Sequence, residues 1–315
     1  IGSHSHHKAD PKAPTCVSCH MPMTSFARIK RSDHSMLPPT PAATINFYSP
    51  NACNGCHKDK DAPWADRQVK EWHKNDYQAP ILLRADLVQA ARKQDWSRLP
   101  EILAYLNSKD QDEVFTASLI RLLRNCPDSS KWTAVGIAAA SPSPLVRAAV
   151  PESLQTIPSG QTAVLLQEAL ADPLRLVRIR AAQSLARYPR RLLMPEAMDN
   201  LQQATLEMLE SYAARPDLWS AHYNIGNYYM DLGRPELALT AYSISLRLEP
   251  RAVHSLVNSA LAYNQLGQKE NAESRLEAAL QIEPDNATAH FNLGRLKADL
   301  KEPAQAEKHL RLALR

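Results

Sequence analysis

No stretch of this chain approaches the roughly 20 apolar residues that a helix needs to cross a bilayer. WTAVGIAAA at 132–140 is far too short, so no membrane span is expected. A charge imbalance is also missing. The net charge is +4, with Lys and Arg interspersed among acids, and no nucleic-acid footprint stands out. Cysteine is sparse: five in 315 residues, four of them in two short motifs. That leaves no disulfide framework. The fifth, Cys126 in LIRLLRNCPD, reads as a small buried hydrophobe. There is no signal peptide and no initiator Met before IGSHSHHK, so the chain reads as a mature or truncated product.

What is there begins with CVSCH at 16–20 and CNGCH at 53–57. Cys-x-x-Cys-His is the attachment signature of c-type haem. On a helix, Cys16 and Cys19 lie one turn apart and can meet the two vinyl groups of one porphyrin. His20 then binds the iron from below. Cys53, Cys56 and His57 repeat the arrangement. Two haem c groups per chain are therefore expected. A zinc site built from the two Cys pairs is the first competing reading, but it leaves the His after each second cysteine unexplained. A thioredoxin-type dithiol is the other, and it needs a strand–helix unit that is not visible. Covalent haem attachment takes place outside the cytoplasm, so the chain is expected to be exported, periplasmic or extracellular.

Residues 1–80 hold nine of the 23 prolines and seven of the 11 histidines. Apolar periodicity is weak from 1 to 62, and HSMLPPTPAATINFYSPNAC reads as irregular and extended. Such a segment buries no ordinary core, and a porphyrin would supply one. APWADRQVKEWHKN at 62–75 reads as a helix, with Trp64, Gln68 and Trp72 at four-residue spacing.

Beyond residue 80 the pattern is helical and repetitive. Val114–Leu122, Val146–Leu154 and Val177–Leu185 share V-x3-[SVA]-x3-L, 32 and 31 residues apart; Leu82–Ala90 is a weaker copy. From 219 onward the period is 34, with Gly226, Ala260 and Gly294 where paired helices approach, Tyr229 and Tyr263 three residues later, and Ala238, Ala272 and Ala306 on the second helix. Lys297 replaces the third Tyr. The fold class is all-α: an irregular haem-binding N-terminal segment (1–79), then helical repeats (80–216 and 217–315). Residues 80–315 are expected to form one continuous right-handed superhelix, because each helix pair leaves an apolar face that only its neighbour covers. Leu293, Leu296, Leu300, Leu310 and Leu314 include positions open to a further helix, a partner or another copy of the chain.

The second axial ligand decides each iron's chemistry: His makes a low-potential carrier, Met raises the potential, and an open position makes an enzyme or a gas sensor. Five histidines outside the motifs crowd the first 73 residues: His4, His6, His7, His34 and His73. His7 and His34 are the leading axial candidates, then His4, with His73 behind. Met36 is a minor candidate; Met21 and Met23 are expected to pack against porphyrin. His222, His254, His290 and His309 read as structural.

The segment SHSHHK…CVSCHMP…RSDHSMLPPTP…PNACNGCHKDKDAPWA resembles the C-terminal haem segment of multihaem cytochromes c fused to HEAT-like and tetratricopeptide repeats. Its motif order also resembles octahaem and pentahaem nitrogen-cycle cytochromes. The Val-Arg helices after ADPLRL resemble HEAT-like repeats, and the 34-residue units resemble tetratricopeptide repeats. The resemblance implies that the His upstream of CHMP (His7 or His4) and His34 serve as distal ligands. Members often carry further haem motifs upstream, so His34 would then serve an iron outside this chain's own motifs. The expected function is electron transfer to a redox partner protein, another multihaem cytochrome or a copy of the chain. A nitrite- or hydroxylamine-type reductase with one open iron is the alternative, and a binding scaffold stapled by haem is a third reading.

Overall fold

The computed structural model describes residues 2–7, 15–26 and 29–314. The chain divides into two compact units, Ile1–Tyr105 and Leu106–Arg315.

The first unit contains α1 (Gly2–Ser5), α2 (Cys16–His20), β1 (Met23–Phe26), β2 (Ile29–Ser32), α3 (Pro41–Phe47), α4 (Ala52–Cys56), α5 (Ala62–Trp72), α6 (Ala79–Arg92) and α7 (Leu99–Leu106). Local chemistry starts the short helices. Thr15 and Ser18 form a capping box on α2, the Asn51 side chain accepts from the Asn54 amide at α4, and Asp61 accepts from the Trp64 amide at α5. Two features depart from the irregular reading. β1 and β2 pair antiparallel, Met23 opposite Ser32 and Phe26 opposite Ile29, a ribbon too small to be stable alone. The proline-rich stretch also folds into α3: Pro41 sits in the first turn, where its missing N–H costs nothing, and Tyr48 ends the helix in the left-handed region at φ 59°.

The second unit runs through α8 (Glu113–Leu122), α9 (Lys131–Ala139), α10 (Pro144–Leu154), α11 (Gly160–Ala169), α12 (Arg175–Leu185), α13 (Met198–Ala213), α14 (Trp219–Asp231), α15 (Pro235–Leu248), α16 (Val253–Gln265), α17 (Lys269–Ile282), α18 (Ala287–Asp299) and α19 (Pro303–Ala313). The fold is all-α with a tetratricopeptide solenoid, the ribbon aside. The three V-x3-x-x3-L segments fall on α8, α10 and α12, and Val146, Leu154, Val177 and Leu185 are buried. Arg147 and Arg178 hold matching places. Each donates to two backbone carbonyls just before its own helix, Ser141 and Pro142 for Arg147, Asp172 and Pro173 for Arg178. Each also pairs with a carboxylate ahead, Asp172 at 2.6 Å and Glu207 at 2.7 Å. Burial pushes the Asp172 carboxyl up, but the Arg147 guanidinium and the Leu174 amide more than offset it, leaving it below the usual carboxylate range. Cys126 is buried, as its helical setting suggested.

In the 34-residue units the small residues act as read. A Cβ on Gly226 would lie 2.3 Å from the Tyr242 ring, and one on Gly294 would lie 2.8 Å from Leu310. Lys297 replaces a tyrosine with an ion-pair junction: buried, it reaches Glu273 at 2.6 Å and Glu302 at 2.9 Å. His222 and His290 each donate Nε2–H to the carbonyl of a proline six residues back, Pro216 and Pro284. Leu293 and Leu296 lie inside the last repeat, whereas Leu314 is 89% exposed.

Two predictions follow from this packing. Gly226→Ala should destabilise the second unit by about 1–3 kcal/mol, because fully buried Tyr242 has nowhere to go. Gly136→Ala, inside α9 with nothing within 4 Å, should instead stabilise by about 0.5–1 kcal/mol. Urea unfolding of the two variants should therefore shift in opposite directions. Arg147→Ala should cost about 1–3 kcal/mol at neutral pH by leaving Asp172 without its main partner. Because the folded Asp172 carboxyl is depressed, that contribution is present above its unfolded pKa and fades as pH falls through the folded value. The gap between wild type and variant should therefore close in acid.

Candidate functional site

In the first unit α2 and α4 pack against each other, which brings the two Cys-x-x-Cys-His motifs together. Burial pushes the Cys19 thiol up, and Cys56 and Cys16 add to the rise. Burial raises Cys53 as well, with Cys19 and Cys56 contributing, against a lowering hydrogen bond from its own backbone. A redox dithiol needs a depressed thiol, and Cys19 and Cys53 are both raised. Among the described residues no group of three or more His, Cys, Asp or Glu is disposed to hold a metal ion.

Both motifs open onto one cleft of ≈ 340 Å³. Its far wall is α5, through Trp64, Gln68, Val69 and Trp72, and Pro38, Pro39 and Tyr77 close another side. A buried clamp holds α5 in place. The Gln78 amide donates to Asp66 Oδ1 at 2.9 Å and accepts from the Ala42 N–H at 3.0 Å, while Lys70 pairs with Asp66 Oδ2 at 2.6 Å. Tyr77 donates its hydroxyl to the Pro39 carbonyl at 2.5 Å.

Histidines face each other across the cleft. His4 and His20 have ring centroids 6.1 Å apart and planes 14° from parallel. His7 and His57 are also 6.1 Å apart, at 33°. His20 donates Nδ1–H to the Met36 carbonyl at 3.3 Å, and His7 donates Nδ1–H to the Ser5 carbonyl at 2.5 Å. A carbonyl only accepts, so each ring keeps Nε2 as its free lone pair, the orientation in which an outer-shell partner leaves a metal ligand. Trp64 lies 4.9 Å from the His57 ring, and Trp72 stacks on His6 at 4.5 Å.

His34 stands in neither pair. It is exposed and does not line the cleft. Two residues on, Met36 has an exposed side chain and a backbone at φ 56°, and it is its carbonyl that meets His20. Met21 and Met23 are absent from the cleft lining, and Met23 lies in the ribbon, 62% exposed. His73 lines the cleft edge-on to Tyr77. The sequence reading missed Tyr77 and the two prolines as cleft residues. Trp64, Gln68 and Trp72 carried the signal in their four-residue spacing, which marks one helix face.

The cytochrome c552 family matches residues 3–118, and tetratricopeptide repeat families match residues 223–279 and 260–300. The chain joins a c-type cytochrome segment to tetratricopeptide repeats. Covalently bound haem c is the cofactor of such a segment, and cytochromes of this family are usually exported. Protein O-mannosyl-transferase TMTC3 of Homo sapiens is 32% identical to this cytochrome–repeat fusion over 117 residues, and its Mus musculus counterpart is 32% identical over 116. The chain spans 12% of the length of each of these relatives, which match 36% of it. Among solved structures, MamA 41-end from Desulfovibrio magneticus RS-1 is 20% identical at TM-score 0.34, covering 49% of this chain and 93% of its own. The second TPR of Spaghetti (RPAP3) bound to HSP90 peptide SRMEEVD is 19% identical at TM-score 0.31, covering 33% and 96%. Among the described residues no helix is long and apolar enough to cross a membrane.

The residues present in the cytochrome segment fit haem c. Each motif offers two thiols and an imidazole, the wall is largely apolar, and 6.1 Å between rings leaves room for one metal bonded at roughly 2 Å to a nitrogen on each side. Haem c would supply a one-electron couple there; the Met36 and Ser5 carbonyls fix the His20 and His7 imidazoles. Gln78→Leu should lower the melting temperature of the first unit, since it leaves Asp66 Oδ1 and the Ala42 N–H without their partner at a cost of about 1–3 kcal/mol. Lys70→Ala, at an exposed partner, should change it far less. Thermal circular dichroism of both variants checks the order.

Proposed function

We propose that the chain is an electron-transfer cytochrome carrying two haem c groups, on Cys16/Cys19 and Cys53/Cys56. His20 and His57 are the proximal ligands, His4 is the distal partner of His20, and His7 is that of His57. The observation that carries this reading is the matched 6.1 Å separation of the two ring pairs. His4 and His7 are three residues apart, so one short segment serves both irons. Each iron then has a candidate sixth ligand, which favours a carrier over a reductase with an open site. His34 is exposed and has no described partner, and we assign it to an iron outside the described residues, on a longer polypeptide or a neighbouring copy.

The domain reading is a haem segment followed by HEAT-like repeats to about 216 and tetratricopeptide repeats from 217, docking the cytochrome to protein partners in the periplasm or outside the cell. The matching roles of Arg147 and Arg178 support the HEAT-like part. The ligand assignment is tested by electron paramagnetic resonance of the oxidised protein. His4→Ala and His7→Ala should each convert one of two low-spin irons to high spin, and His34→Ala should convert neither. Low-spin iron throughout in the first two variants, or conversion by the third, contradicts the assignment.

A further inference from the structure

A groove of ≈ 400 Å³ runs across the second unit, with walls from α8, α10, α12, α13 and α14. Its lining is polar, and hydrogen-bond accounting gives it a direction. The Glu152 carboxylate is shared between two guanidiniums, Arg121 through Nε and Arg180 through Nε at 2.9 Å. Arg180 Nη1 donates to Gln183 Oε1 at 3.2 Å, which turns the Gln183 amide nitrogen to donate to the Tyr212 oxygen at 2.9 Å. The phenol is thereby an acceptor within the protein, and its own proton is left to donate. Asn227 Oδ1 accepts from Tyr242 and from Asn258, both at 2.8 Å, so Asn227 offers its N–H₂. Asp231 is bonded to Arg187 at 2.9 Å. Arg124 is exposed, lines the groove and has no described partner. The Glu152, Gln183, Asn227 and Asp231 oxygens thus already accept inside the protein, while guanidinium, phenol and amide donors remain. Arginines also outnumber carboxylates in the lining.

We propose that this groove binds an extended peptide segment rich in Asp and Glu, carried by a partner protein. This names the chemistry of the partner in the docking role proposed above and is independent of the haem assignment. Carboxylates satisfy guanidinium donors in pairs, and peptide carbonyls match the amide and phenol donors. Length argues for a chain over a small anion. Packed helices lie roughly 8–10 Å apart, so donors spread from α8 to α14 are spanned by about eight residues at about 3.3 Å each. A free phosphate would meet only one end.

The probe is an eight-residue peptide alternating Glu and Ser, titrated calorimetrically into the haem-loaded chain at low salt, beside its Gln/Ser counterpart and inorganic phosphate. The Glu peptide should bind roughly tenfold or more tightly than the Gln peptide, and more tightly at low than at high salt. Arg124→Gln, which removes no described fold contact, should weaken it severalfold and leave haem absorbance unchanged. Arg251→Gln removes the same charge outside the groove and should leave binding unchanged. Equal binding of the two peptides, equal binding of phosphate, no binding at low salt, or equal loss in Arg124→Gln and Arg251→Gln would each overturn the proposal. Because haem absorbance is read in the same samples, a failure of the groove is distinguishable from a failure of the cytochrome assignment.

Discussion

The helices that carry the two Cys-x-x-Cys-His motifs have no fully buried side chain of their own, Cys19 and Cys53 being half-buried. Neither α2 nor α4 contains a buried residue, and the ribbon between them is too small to stand alone. What organises this segment is a shared cleft rather than a core. Beside it α5, held by the Asp66–Gln78–Ala42 clamp, forms one wall of the cleft. On the proposed reading the cofactor supplies the missing hydrophobic core, and the cysteines would tie the chain to it covalently. The proposed ligand pairs follow from the same economy: a segment with so little packing would gain order from two iron–imidazole bonds, both donated by residues three apart.

The solenoid solves its own problem differently. Each repeat leaves an apolar face for its neighbour, and the closeness of Gly226 to Tyr242 and of Gly294 to Leu310 sets how tightly two helices approach. Where the pattern breaks at Lys297, two carboxylates, Glu273 on α17 and Glu302 at the N-cap of α19, take up the charge, so the departure is compensated locally. The polar groove, by contrast, is built from side chains that the repeat pattern leaves free to vary.

How much was legible follows from the range of the interactions. Cys-x-x-Cys-His is a local signature, and the 34-residue period is read by aligning the chain with itself; both needed only neighbours in sequence. The Trp64–Gln68–Trp72 stripe foretold a helix face, and that face is the cleft wall. The histidine pairing was not legible, because opposing His4 to His20 and His7 to His57 requires α1, α2 and α4 to be folded together, and no spacing rule encodes that. Histidine crowding and the family resemblance put His34 beside His7 as an axial candidate; in the fold the turn after β2 leaves His34 exposed and offers the carbonyl of Met36 to His20. Helix α3 was hidden by its prolines, which read as irregular chain until Pro41 is seen in the first turn. The groove was invisible for a similar reason: Arg124, Tyr212 and Asn227 are ordinary surface residues until successive repeats bring them side by side.

The account rests on two porphyrins serving as the core of the N-terminal unit. The most direct measurement is the intact mass of the denatured chain, because thioether-linked haem survives unfolding and coordinated zinc does not. The account predicts the polypeptide mass plus two haem increments, both lost from the Cys16→Ala/Cys19→Ala/Cys53→Ala/Cys56→Ala variant. A bare polypeptide mass, with zinc recovered from the native protein, would contradict it.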